Sequence, residues 1–400
     1  MNATKNITLL ATCQALLFTN NVTLIAINGL AGYLLAPSKT LATMTVTAQV
    51  IGSALATMPA SLLMEKMGRK AGFQIGTTFG VVGAMIATIA LWHSSFWLLC
   101  FGTFVLGGYG AFGGFYRFAA ADSVSATQPA AERARAISLV VAGGLVGGLL
   151  GPALSTWTRT LTQPEFLASY ASLIVFSLIT MLVLTQLDIP KTQANTSHAP
   201  PRKLAEIAAQ PVFVVAVMAS AIGYGVMSLL MTATPLAMGF CGHSYGAAAG
   251  VIGAHVIAMF APSFFTGALI ARFGVLSVIG AGIGLMFGCV CIALGGVEIL
   301  NFWWALVMLG VGWNFMYVGG TALLTEAYRL NEKAKIQGVH DLLVFCTTAT
   351  SSFASGVLVN RAGWVTLQWV AVPFLLICAA TVIWLMLSRR KLLTAAKPDR

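Results

Sequence analysis

Arg117 is the residue whose surroundings ask most of it. It stands in Gly113-Gly114-Phe115-Tyr116-Arg117-Phe118, inside a long apolar run. An embedded Arg costs at least ~2.5 kcal/mol near a bilayer centre unless it is paired or faces water. Gly110 and Gly113 lie on the same helical face, which leaves backbone open to a ligand or a neighbouring helix. Two readings stay open. Arg117 binds an anionic group such as a carboxylate, or it pairs with Asp122, Glu326 or a helix end and holds a gate.

Few other polar residues interrupt the apolar runs. Asp122 can latch onto Arg69, beside Glu65, or serve in proton coupling. Glu326 stands three residues before Arg329, a spacing that allows a local ion pair, and is a second proton-coupling candidate. Asp341 is placed to latch onto Arg272. His255 is either a proton relay or a hydrogen-bonded core histidine. Gln14, Asn21 and Asn28 recur every seven residues, so they share a face that lines a wet cavity or bonds to another helix. Tyr116, Tyr224, Trp313, Asn314 and Tyr317 form polar-aromatic stripes, which pack a core or bind a solute. Together, the Arg, amide and aromatic groups suit a planar or polar-anionic solute. Trp303 and Trp304 read as interfacial anchors.

Other chemistries are not encoded. There is no GxxxxGK[ST] phosphate loop, no nucleophile triad and no metal-ligand constellation. The seven Cys show no CxxC spacing. No catalytic residue, metal or cofactor is expected, and the chain does not read as an enzyme.

The elements that must hold these side chains follow from composition. The chain is 58% hydrophobic and 8% charged, against about 25% charged for a soluble domain. Most of its surface therefore faces lipid. Runs long enough to span, ~20 apolar residues each, fall at 8–35, 41–64, 71–91, 95–122, 135–159, 166–187, 210–232, 244–271, 275–297, 300–328, 334–360 and 364–388. Open sheet edges cannot sit in lipid, so the spans are helices. The first run is far longer than a signal-peptide core and is expected to remain as a span.

Lys and Arg set the orientation. With the N-terminus inside, the cytoplasmic segments hold Lys5; Lys66, Arg69 and Lys70; Arg133 and Arg135; Lys191, Arg202 and Lys203; Arg272; Arg329, Lys333 and Lys335; and the basic tail from Arg389 to Arg400. Only Lys39, Arg159 and Arg361 fall on the other side. Both termini are thus expected in the cytoplasm. The net charge of +11 is scattered in short clusters between apolar runs, which argues against a nucleic-acid partner.

The polar, Pro-containing stretch 188–209 reads as a cytoplasmic linker. It divides the chain into an N-terminal six-helix bundle, 1–187, and a C-terminal one, 210–400. The halves echo each other. Glu132-Arg133-Ala134-Arg135-Ala136-Ile137 matches Glu332-Lys333-Ala334-Lys335-Ile336. The run from Ser61 through Glu65 and Gly68 to Lys70 is echoed by Gly267, Ala271, Arg272 and Gly274. Two echoes at corresponding places indicate an internal repeat.

Over essentially its whole length the chain resembles the major facilitator superfamily. Residues 61–70 are similar to the family's motif between helices 2 and 3, with Ser61 for Gly and Glu65 for Asp. The Gly-rich run Gly143–Pro152 is similar to the helix-5 motif of the family's antiporters. Thr103 and Asn21 stand where family antiporters carry Arg and Asp. The resemblance implies twelve transmembrane helices in two pseudo-symmetric bundles that rock around a central site. It implies cavity-lining helices 1, 4, 7 and 10, and gates at 61–70 and 267–274. The expected function is secondary active transport of a small organic solute, anionic or polar-aromatic, with siderophore- or vitamin-like molecules as candidates and protons as a coupling ion. The expected place is the bacterial inner membrane, and the expected state a monomer. Efflux of drugs or metabolites and flipping of lipid-linked substrates are the alternative functions.

Overall fold

A computed structural model supplies the architecture. It describes residues 3–38, 41, 44–124, 128–189 and 202–395. Lys39, Lys191, Lys397 and Arg400 of the orientation argument lie outside the described residues, as do Pro190, Pro200 and Pro201 of the expected linker. Among the described residues every regular element is helical.

Eleven helices are long and apolar enough to cross a bilayer, and one bent pair makes a twelfth span. They are α1 Ala3–Leu35, α2 Met44–Met67, α3 Arg69–Trp92, α4 Phe96–Asp122, α5 Ala130–Thr158 and α6 Leu167–Thr185, then α7 Pro211–Phe240. There follow α8, made of Gly246–Phe260 and Ser263–Phe273, then α9 Val275–Leu294, α10 Ile299–Leu324, α11 Lys333–Val359 and α12 Arg361–Arg390. The stretch expected as linker carries a short helix, Leu204–Ala208.

Several spans read from hydropathy as continuous are interrupted. The α4 span breaks at Gly114–Phe115, just before Arg117, and α5 breaks at Gly143. The two parts of α8 meet at 43° around Ala261 and Pro262, where proline withholds a helical N–H. Hydropathy is blind to such breaks because the flanking residues stay apolar.

Both repeated loops turn on a glycine with positive φ. Gly68 (φ 92°) opens α3 and Gly274 (φ 84°) opens α9. A side chain is strained there, which explains why this position matches in the two echoes while its neighbours differ.

By its contacts the chain forms two compact units. The first comprises Met1–Gln128, Leu139–His198 and Leu330–Phe345. The second comprises Pro129–Ser138, Ala199–Arg329 and Cys346–Arg400. In the first unit α3 and α2 pack on α4, and α1 packs on α5 and α6. Leu24, Ile27, Ala84, Leu106, Tyr170 and Leu173 belong to its apolar core. Buried polar groups tie the helices together. Asn20 Nδ2 donates to Leu173 O at 3.3 Å and Ser177 Oγ at 3.0 Å, and Tyr109 Oη donates to Thr180 at 3.2 Å. In the second unit α10 packs on α7, α8 and α9. Gly282 and Gly312 face each other so closely that a Cβ on either would lie 2.9 Å from the other's carbonyl oxygen. Small residues allow such approach between membrane helices. Leu55, Trp92, Trp157, Leu182 and Phe353 are exposed, as a lipid-facing surface requires.

Candidate functional site

In the first unit the polar exceptions converge on α4 and the start of α11. Lys333, Gln337 and Asp341 recur every four residues, with His340 beside the last, so one face of α11 carries them all. Asp122 accepts from Arg69 Nε at 3.0 Å and from Lys333 Nζ at 2.9 Å. Arg69 also donates to Gln337 Oε1 at 2.6 Å. Deeper along the same face, Arg117 Nη2 donates to Asp341 Oδ1, and Arg117 Nη1 donates to Gly114 O at 2.7 Å. That carbonyl lies at the α4 break. His340 Nδ1 approaches the same Asp341 oxygen at 2.7 Å. The Arg117 guanidinium lies 4.5 Å from the Phe118 ring centroid, a favourable placement for a desolvated cation.

Of the two readings open for Arg117, the paired one describes this geometry, with Asp341 in place of Asp122 or Glu326 as the acid. Asp341, expected opposite Arg272, is taken by Arg117 because the α4 break turns Arg117 onto α11. Arg272 itself lies 5.1 Å from the ring of neighbouring Phe273. Gln337 went unremarked in the sequence; the four-residue spacing from Lys333 to Asp341 was the available signal.

Asp122 joins two cations, so losing it leaves both uncompensated in a mostly buried place. Asp122→Asn should destabilise the chain by about 3 kcal/mol or more. Lys333→Gln, which leaves Arg69 and Asp122 paired, should cost clearly less. Thermal unfolding of the two variants in one detergent checks the order.

Each unit also has a tight joint built from the repeat. In the first, Ser61 Oγ donates to Ala334 O at 2.5 Å, and a Cβ on Gly338 would lie 3.1 Å from that of Ser61. In the second, Ser138 Oγ donates to Ser263 O and accepts from Gly267 N at 3.1 Å. A Cβ on Gly267 would lie 2.5 Å from Arg135 Cα. The repeat aligns Ser61 with Gly267 and Gly338 with Ser138, so each joint has one serine and one glycine with the roles exchanged. Gly267→Val should therefore prevent the second joint, because backbone atoms cannot move aside as a side chain would. Gly338→Ala should be milder than Gly267→Val, because the nearest atoms to its added Cβ are side-chain atoms of Met58 and Ser61; thermal unfolding of this second pair of variants in one detergent checks the order.

Other expected solute contacts are committed to packing. Asn28 Oδ1 accepts from Tyr170 Oη at 2.9 Å, its Nδ2 faces Gln49 Oε1 at 3.5 Å, and its carbonyl accepts from Thr45. Asn314 Nδ2 donates to Met259 O at 2.6 Å and Ser263 Oγ at 2.5 Å, while its Oδ1 accepts from Thr266. It thereby satisfies carbonyl and hydroxyl groups around the bend of α8. Tyr116 is buried and packs edge-on to Phe73. Gln14 and Asn21 take no part in these bonds. Asn20, outside the seven-residue series, joins Asn28 in bonding α1 to α6.

The proton-coupling candidates are also differently placed. Glu326 pairs with Arg389 at 2.7 Å, not by local spacing with Arg329, because α12 ends beside the end of α10. His255 Nδ1 lies 2.8 Å from Leu306 O. A carbonyl can only accept, so Nδ1 carries the hydrogen and His255 serves to pack α8 on α10. Glu65 is exposed.

The second unit gathers its aromatic stripe. Trp313 and Tyr317 are stacked, with centroids 5.0 Å apart and planes 18° from parallel. Tyr224 stands edge-on to Trp313 at 5.3 Å and to Tyr317 at 5.2 Å, and Phe260 closes on Trp313 at 5.7 Å. Trp313 is buried, whereas Tyr224 and Tyr317 are partly accessible. The arrangement offers flat apolar area with two phenolic hydroxyls. Among the described residues no three His, Cys, Asp or Glu side chains gather as metal ligands.

Comparison with known proteins agrees with this architecture. The profile of the Major Facilitator Superfamily matches residues 8–342. The riboflavin transporter RfnT of Brucella anthropi is 38% identical over 384 residues, covering 95% of this chain and 96% of RfnT. The MFS-type transporter YdeG of Bacillus subtilis is 29% identical over 351 residues, covering 84% and 81%. Among solved structures, the Escherichia coli fucose:proton symporter FucP superposes with a TM-score of 0.72 at 16% identity, over 94% of this chain and 98% of FucP. The human organic anion transporter TETRAN superposes with a TM-score of 0.77 at 10% identity, over 96% and 100%. A profile match over most of the chain, a relative at 38% identity and a shared twelve-span fold agree: the chain belongs to the Major Facilitator Superfamily and is a multi-pass secondary transporter of a small molecule, not an enzyme.

Proposed function

We propose that this transporter carries riboflavin, or a vitamin sharing its planar tricyclic ring, inward across the bacterial inner membrane by alternating access. The observation that carries the reading is the 38% identity to a riboflavin transporter along 95% of the chain. The aromatic cluster supports it. Trp313, Tyr317 and Tyr224 present stacked and edge-on rings, which suit a flat heteroaromatic solute. Riboflavin is uncharged at neutral pH, so it needs no free cation, and Arg117 is already paired with Asp341. On this reading Gln14 and Asn21 remain polar candidates for the solute. Arg69, Asp122 and Asp341 hold a gate, and both termini lie in the cytoplasm, as the Lys and Arg distribution favours.

Uptake of labelled riboflavin by auxotrophic bacteria producing the full chain tests the reading. Uptake above that of cells carrying an empty vector, suppressed by excess unlabelled riboflavin, is expected. Background-level uptake with the protein present in the membrane would falsify it.

A further inference from the structure

In the first unit the buried Nε2 of His340 and Oδ2 of Asp341 have no hydrogen-bond partner among the described residues. The two side chains meet at Asp341 Oδ1, which takes the hydrogen bonds of both His340 Nδ1 and Arg117. We propose that His340 and Asp341, with Arg117 against them, are the proton-binding site that couples transport to protons. The proposal rests on the chain being a transporter, not on the flavin reading.

The chemistry is a simple proton transfer. Nδ1 keeps its hydrogen on the Asp341 carboxylate, which can only accept. The lone pair of Nε2 is then the site for an incoming proton: hydronium gives it up and becomes water, and the imidazole becomes imidazolium. Before this step the cluster balances, one guanidinium against one carboxylate. Afterwards it holds two cations and one anion, buried together. A net charge in such a place is unfavourable, so protonation works against the seating of α11 on α4, and loss of the proton restores it.

The surroundings leave His340 as the group that responds. Arg117 and Phe118 face it from α4, and Asp341 from its own helix. Met58 and Ser61 of α2 lie against Gly338 and are uncharged. Asp122, Arg69 and Lys333 form the next cluster, about 10 Å back along α11 from His340 to Lys333. The acids and histidine first considered fit less well. Asp122 is held by two cations, Glu326 is partly exposed with Arg389, and His255 meets a carbonyl. Among the described residues His340 is the one histidine in contact with a carboxylate.

Hydrogen–deuterium exchange of the full chain in nanodiscs, without solute, tests this between about pH 5 and pH 8. Rates are corrected for the intrinsic pH dependence of exchange. Peptides covering 333–345 and 115–122 should exchange faster at the acid end. One pKa unit between the seated and released states corresponds to about a tenfold change in their equilibrium. His340→Gln can still donate to Asp341 but cannot take the proton, so it should exchange at the slow level throughout; His340→Asn is the alternative should that variant not fold. A wild type indifferent to pH, or a variant as responsive as the wild type, overturns the proposal. A second arm uses riboflavin in proteoliposomes with an imposed pH gradient. The gradient should stimulate uptake by the wild type and not by His340→Gln, and equal stimulation of both overturns the proposal. A wild type that moves no riboflavin counts against the flavin reading alone, because the exchange arm needs no solute.

Discussion

Asp341→Asn should destabilise the protein by about 3–5 kcal/mol, because it leaves the Arg117 guanidinium buried without its counter-ion. The two side chains are 6% and 3% exposed, so water cannot replace the lost partner. Arg117→Gln should cost a similar amount, now through a stranded carboxylate that retains only His340. The double variant Arg117→Gln, Asp341→Asn should recover most of the loss, since removing both members of a buried pair is far milder than removing one. Thermal unfolding of the four proteins gives the coupling directly. Losses that simply add would mean the pair is not coupled. Arg117→Lys is a sharper probe of geometry. A single ammonium cannot reproduce the planar fork that reaches Gly114 O and Asp341 together, so this variant should be intermediate.

Trp313→Ala should be the second large effect. The indole is 1% exposed and touches Tyr317, Tyr224 and Phe260. Removing a buried aromatic side chain costs about 3–5 kcal/mol. Trp313→Phe keeps most of the apolar volume and should fold far better. Tyr317→Ala tests the solute side, since that ring is partly accessible. One lost ring–ring contact of about 0.5–1.5 kcal/mol should weaken riboflavin binding several-fold, with a smaller change in thermal stability. Flavin fluorescence, quenched by stacking on aromatic side chains, reads the binding. Unchanged affinity in Tyr317→Ala would remove this cluster from the solute site.

The aromatic stripe and the charge cluster were legible to different degrees. Tyr317 follows Trp313 by one helical turn, so their stacking is local geometry. Tyr224 lies on another helix, and only packing of α7 on α10 brings it edge-on. The Asp122–Arg69 pair joins groups from α4 and α3. Its partner Lys333 was read as a loop cation, because nothing local shows that the start of α11 seats on the first unit. Asn314 looked like a solute contact for a related reason. A polar residue in an apolar helix must be satisfied, but whether by a solute or by a neighbour's bend depends on Pro262, 52 positions earlier in the chain.

The sequence by itself determined the solvent, the number of spans, the repeat and the family. These follow from composition, from run lengths matched to a bilayer, and from glycines such as Gly68 and Gly274 that no other residue comfortably replaces. Tertiary structure alone decided who partners whom. Arg117 is the clearest case: its burial could be read from the chain, while its partner, Asp341, lies 224 residues away. Hydropathy is a property of each segment. Charge compensation is a property of side chains brought together by a break at Gly114 and a seated helix, and neither leaves a periodic trace in the sequence.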